Sequence, residues 1–183
     1  MINVYDCRNG LLVKLGEGAS VGPETVWIDL VNPTPEDEAA IERALGLDVP
    51  TRDEAREIEA SSRFYEEDGG TFMTTSIIYF PDKTTPTTGS VTFILKESRL
   101  VTVRYVEPRA FPVFASRAEK GAVSCNSGGT VMIGLVETIV DRTADVIERI
   151  QDDVEKLTHN VFNLNTQRRD SSRRLDVLLR STG

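Results

Sequence analysis

From Thr130 onward, apolar residues recur at Met132, Val136, Ile139, Val140, Val146, Ile147, Ile150, Val154, Leu157 and Val161, and no proline interrupts them before Phe162. Steps of three and four predict one amphipathic helix over 130–162. A helix of that length spans about 50 Å. The 129 residues before it predict a globule about 35 Å across. The helix is therefore expected to be longer than the body it leaves and to project from it. Its acids, Glu137, Asp141, Asp145, Glu148, Asp152 and Glu155, also step by three and four and form one negative face. The last 21 residues reverse sign, with arginines at 168, 169, 173, 174 and 180 against Asp170 and Asp176. A helical hairpin would lay that basic segment beside the acidic helix. The closing run RRLDVLLRSTG starts an apolar pattern at Leu175, Leu178 and Leu179 and reads as a helix cut short.

The body reads as α/β. MINVYDC and LLVKL flank Asn9-Gly10, a hairpin signal. TVWIDL at 25–30 is a strand, stopped by Asn32-Pro33. Thr34 then supplies a helix cap, Pro35 a first helical residue, and Glu36 and Asp37 acids for the first turn. That helix is expected to end at Leu45, before Gly46. A second helix follows Pro50, capped by Thr51 and ending near Ile58. FMTTSIIYF at 72–80 is strand-like, and Pro81 to Gly89 is a loop. SVTFILK and RLVTVRY, rich in β-branched and aromatic residues, form a hairpin over 91–105. Its Glu97-Ser98 connection lacks glycine and predicts a loop longer than two residues. A helix is expected from Pro108 to about Lys120, then a loop to Gly129. The expected organisation is an α/β domain over 1–129, with a mixed central sheet flanked by helices, and a helical segment over 130–183, the long acidic helix and the start of a basic one.

Charge narrows the function classes. Residues 29–68 hold thirteen acids against Arg43, Arg52, Arg56 and Arg63, a local charge of −9 within a chain of −8. Such a surface repels nucleic acid and attracts cations, although a run of charge is commonly just a solvated face. One histidine, His159, and two cysteines, Cys7 and Cys125, give neither a zinc ligand set nor a disulfide framework. No signal peptide or membrane-length apolar run is visible, so the chain is expected to be soluble and intracellular. Nucleotide-binding glycine fingerprints are absent. Asp53, Glu54 and Glu57 could pair as acid and base for metal-dependent hydrolysis, but nothing else completes such a site.

The order of residues adds a resemblance. WIDLVNPTPEDEAAIERALGL and VPTRDEAREIEASSRFYEEDGGTFMTTSIIY resemble the cytoplasmic domain of the CorA-type magnesium transporters. The nearest match is EIEASSRFYE at 57–66, where an acidic helix end leads through a small-residue turn into a central strand. The hairpin at 91–105 and the helix at 130–162 follow in the family's order. The resemblance implies a homopentameric channel whose stalk, membrane helices and Gly-Met-Asn motif lie outside this chain. It implies a cytoplasmic-face location, attachment to the membrane through those helices alone, and no enzyme activity. It also implies a regulatory Mg2+ half-site, with Glu57 as the nearest match, Glu54 as its rival, and Asp53 and Glu59 beside them. The partner ligand would come from the stalk of a neighbouring subunit. Co2+, Ni2+ or Zn2+ are the other ions implied, and a ZntB-like zinc transporter is the related alternative. The chain alone is expected to be a monomer or weak oligomer.

Overall fold

The computed structural model describes residues 1–16, 18–57, 63–80 and 85–181, with side chains described throughout except at 56–57 and 160–181. Seven strands form one sheet: β1 (Ile2–Arg8), β2 (Leu11–Lys14), β3 (Thr25–Val31), β4 (Phe64–Glu67), β5 (Gly70–Tyr79), β6 (Thr87–Lys96) and β7 (Arg99–Arg104). Four helices accompany them: α1 (Pro35–Leu45), α2 (Arg52–Glu57), α3 (Ala110–Glu119) and α4 (Gly128–Ser181). The strand order is β2-β1-β3-β7-β6-β5-β4. Every neighbouring pair is antiparallel except β3 and β7, which run parallel. The chain divides into two compact units, Met1–Asp141 and Arg142–Gly183.

Local sequence fixes the turns. Asn9 and Gly10 both adopt positive φ, 54° and 78°, between the paired Arg8 and Leu11. These are the conformations a two-residue turn needs to match strand twist. Asp68 and Gly69 repeat the device at 49° and 71° between Glu67 and Gly70. The resemblance implied a central strand here; the strand found, β4, lies instead at the edge of the sheet, and its hairpin with β5 was not expected, because its residues read as part of the acidic run. Glu97-Ser98 is a two-residue turn after all, since Lys96 pairs with Arg99. Glu97 takes the left-handed conformation, φ 53°, where glycine was thought necessary. The loop expected from Pro81 to Gly89 gives way at Thr87, where pairing with Tyr79 extends β6; its residues 81–84 lie outside the described residues.

Helix α1 matches its sequence signals throughout. Thr34 accepts from the Asp37 amide, Asp37 returns a bond to the Thr34 amide, and Gly46 closes the helix in the left-handed region. Helix α4 corrects the expected hairpin: its backbone is helical without a turn from Gly128 to Ser181. After Gly134 no glycine or proline appears before Gly183, so nothing in the sequence breaks the ladder where a turn was expected.

The two sheet faces carry separate cores, as the alternation of strand side chains requires. Trp27, Phe93 and Leu100 face Phe111 and Phe114 of α3 and Val131 and Leu135 of α4. Ile28, Ile94 and Val101 face Ile41 of α1 and Leu47. Trp27, 1 % exposed, stacks on Tyr5 at 4.4 Å and meets Phe114 edge-on at 5.7 Å. Strand β3 is buried along all seven residues, as a central strand covered on both faces must be. Helix α4 starts hard against the β6–β7 turn. The Gly128 amide donates to the Ser98 carbonyl, and a Cβ at Gly128 would overlap the backbone of Arg99 and Leu100.

Candidate functional site

Helix α2 carries the acids that the sequence singles out. It is anchored by Ala55, which is buried, and lies against β6. Arg52 sits 5.5 Å over the Tyr105 ring, which ties the helix to the end of β7. Asp53 and Glu54 occupy the first turn and are exposed, where acids complement the helix dipole. Glu57 is the last residue of α2, but its side chain lies outside the described residues, as does Glu59 altogether. Asp53 and Glu54 share the exposed first turn of α2; the Glu57 side chain and Glu59 lie outside the described residues.

Glu54 already has work as a cap. Its Oε2 accepts from the Thr51 amide at 2.9 Å and from the Thr51 hydroxyl at 2.8 Å, and the Glu54 amide donates back to Thr51 at 3.4 Å. These bonds, the backbone one foremost, hold its carboxyl below the usual carboxylate value. A capping box of this kind is what a Thr-x-x-Glu spacing forms. Of the two carboxylates, Asp53 alone makes no bond of this kind.

A third acid joins from α1. Tyr105 donates to Glu38 Oε1 at 3.1 Å. Burial pushes the Glu38 carboxyl up, the Tyr105 bond opposes that, and the charges of Glu42, Asp37 and Glu54 push it further up. Glu38 and Glu54 thus feel one another across the α1–α2 corner. Sequence reading missed this residue because its phenol partner is 67 positions away. Among the described residues no three or more His, Cys, Asp or Glu side chains form a group that could hold a metal ion. The carboxylates offer, at most, one or two ligands from one chain, which suits an ion that keeps most of its water.

Asp29, counted among the acids of the same stretch, is not on that surface. It is 2 % exposed on β3 and is held by a fork from Arg104 of β7, Nε to Oδ1 and Nη2 to Oδ2, both 2.9 Å. Thr102 donates to it at 2.9 Å and Asn3 at 3.2 Å. Trp27 Nε1 donates to the Thr102 hydroxyl at 3.0 Å. Arg104 also donates to the Val106 carbonyl and lies 4.5 Å over the Phe111 ring. With its partners in place, this charge is neutralised inside the sheet and adds nothing to the negative surface.

Comparison with known proteins agrees with the fold. The family model described as "CorA-like Mg2+ transporter protein" matches residues 23–181. A magnesium transport protein CorA of Haemophilus influenzae is 33 % identical over 165 residues, covering 89 % of this chain and 52 % of that protein. The chain spans about half the length of the curated relatives it matches. The soluble domain of CorA from Methanocaldococcus jannaschii superposes with a TM-score of 0.69 at 15 % identity, over 88 % of this chain and 64 % of that one. The ZntB cytoplasmic domain from Vibrio parahaemolyticus does so with 0.60 at 16 % identity, over 80 % and 62 %. At these identities the structures speak for the fold alone.

Proposed function

This chain belongs to the CorA-like Mg2+ transporter family, and we propose that it is the cytoplasmic, metal-sensing part of a divalent-cation transporter. The observation that carries this reading is the family match over 23–181, which includes the whole acidic segment and α2. Mg2+ is the ion proposed, both as cargo of the longer protein and as the ion sensed. Within this reading the longer protein is a homopentamer at the cytoplasmic face of a membrane, and the segments that cross the membrane and line its pore are outside this chain. No helix of the described residues is long and apolar enough to cross a membrane.

Glu57 is the leading ligand of the proposed sensor, with Asp53, which is exposed, and Glu59 near it in the sequence, and Glu54, its rival, supports the helix through its cap. Such a half-site holds a hydrated ion through one or two carboxylates. A second carboxylate from a neighbouring subunit would complete it, so metal should act mainly by drawing copies together. The test is calorimetry of the chain with Mg2+, joined to ion flux through the longer protein carrying Glu57→Ala or Asp53→Ala. Weak binding by the chain and impaired closure at high internal Mg2+ are the expected results. Tight one-to-one binding by the chain would refute the half-site, and normal closure in both variants would remove these residues from the sensor. The likeness to a ZntB cytoplasmic domain keeps Zn2+ as the rival ion, and the same calorimetry with Zn2+ separates the two. The hydrolase reading rests on Asp53, Glu54 and Glu57, of which Glu54 is already bonded to Thr51; loss of Mg2+-dependent phosphatase or esterase turnover in Glu57→Ala would favour it.

A further inference from the structure

β3 and β7 are parallel neighbours, yet the chain leaves them in opposite directions. After β3 it passes to α1, whose Ile41 packs on one face of the sheet. After β7 it passes to α3, whose Phe111 and Phe114 pack on the other. Divergence of this kind opens a crevice at the carboxyl ends of the two strands, the usual place for ligands in α/β sheets. Here the crevice is a cavity of about 260 Å³ on the α3 side. Its floor is the Asp29–Arg104 pair and its walls include Trp27 and Phe111.

The groups around this floor are unspent. Lys14 at the end of β2, and Glu107 and Arg109 in the β7–α3 connection, line the cavity as exposed side chains. None of the three makes a side-chain hydrogen bond or ion pair to a described residue. Arg109 precedes α3 without capping it by its side chain. Tyr5 is 6 % exposed, and its hydroxyl likewise has no partner among the described residues. Burial first, and then Asp29, push that hydroxyl's ionisation above the usual phenol value, so it stays a donor. Among the lining residues Arg104 and Asp29 cancel one another, which leaves two cations, one acid and one phenol donor facing the space, with the charge of Glu119 also reaching the Tyr5 hydroxyl. The lining by itself is positive inside a chain of net charge −8.

We propose that this crevice binds a small oxyanion, a phosphate or a carboxylate, gripped by Lys14 and Arg109 and hydrogen-bonded by Tyr5. The site is separate from the acidic α2 surface and does not depend on the metal-sensing reading. Charge-assisted bonds of this type are the strong ones, and Glu107, which also lines the cavity, disfavours anions large enough to reach it.

Trp27, the only tryptophan of the chain, lines the cavity and reports on it. Its fluorescence is followed while the chain is titrated, without metal, with inorganic phosphate, with malonate, and with chloride at matched ionic strength. A saturating change with phosphate, malonate or both is expected, and none with chloride. Saturation by phosphate alone assigns a phosphoryl ligand, and by malonate alone a carboxylate. Lys14→Ala and Arg109→Ala should each weaken the response roughly tenfold, the scale of one charge-assisted bond. Tyr5→Phe keeps the ring on Trp27 and should weaken it about fivefold, the scale of one neutral bond. Arg43→Ala, on α1, should leave the curve unchanged. Lys14 and Arg109 are exposed, so their double variant should melt like the parent. The proposal is overturned if that double variant titrates like the parent, or if all three anions give the same curve.

Discussion

Asp29 and Asp53 are both aspartates of one acidic stretch, and the fold treats them in opposite ways. Asp29 is sealed in the sheet with four donated bonds from three side chains. Asp53 stands in water on the first turn of a short helix. A buried carboxylate must be paired to be tolerated, so Asp29 is a structural element with no capacity left for a ligand. An exposed carboxylate contributes little to stability and keeps its capacity for a cation. Density of acids along a sequence therefore says where negative charge is made. Burial decides which of those charges a metal can reach.

The contrast is broken most directly at Asp29. Asp29→Ala leaves Arg104 charged and unpaired in the sheet, and should cost about 3–5 kcal/mol, the usual penalty for halving a buried pair. Urea denaturation measures it, and a loss below 1 kcal/mol would mean that water reaches Arg104. Next comes Thr102→Val, which removes the acceptor of Trp27 and one donor to Asp29. It should cost about 1–3 kcal/mol, the range for stranding buried polar groups, with a change in Trp27 emission. Thr51→Ala should cost about 1 kcal/mol through the lost cap. Its pH dependence has a definite sign. Glu54 is lowered by its bonds to Thr51, so the stability they add is full above the ordinary carboxylate value and disappears as pH falls through the folded one. The difference between Thr51→Ala and the parent should shrink as pH is lowered below the ordinary glutamate value. The exposure of Glu54 keeps that effect small. Asp53→Asn should be the mildest, within about 0.5 kcal/mol in stability, while weakening Mg2+-driven association. A large stability loss at Asp53 would erase the distinction between the two acids.

Much of the fold was legible because its signals are local. Thr34, Asp37 and Gly46 cap α1 as their spacing requires, and Asn9-Gly10 turns as such a pair must. Asp68-Gly69 is an equally good turn pair, and its charge hid it: read as acids, residues 64–69 do not look like a hairpin. Glu97 escaped because a tight hairpin between two well-paired strands can hold a non-glycine residue at positive φ. The α4 turn was expected from the change of sign and from the helical hairpin the resemblance implied, and charge reversal does not break a helix.

The site was legible only as a segment. Asp53 and Glu54 were named, and the cap on Glu54 was readable from Thr51 three residues before it. Glu38 and the pairing of Asp29 with Arg104 were not readable, since their partners lie 67 and 75 positions away. No periodicity within a strand reports a contact made across the sheet.

The single parallel pairing has a consequence for how the chain assembles. β1, β2 and β3 pair among themselves within residues 2–31, and β4 to β7 within 64–104. Each group can zip up through short loops, whose closure is fast and entropically light. β3 with β7 is the only strand pairing between them, and its bonds join residues more than 70 positions apart. Folding should thus end with two preformed antiparallel subsheets, β2-β1-β3 and the β4–β7 meander, docking edge to edge, a step slowed by its high contact order. The Asp29–Arg104 fork forms only at that step, so weakening it should hasten unfolding far more than it delays folding.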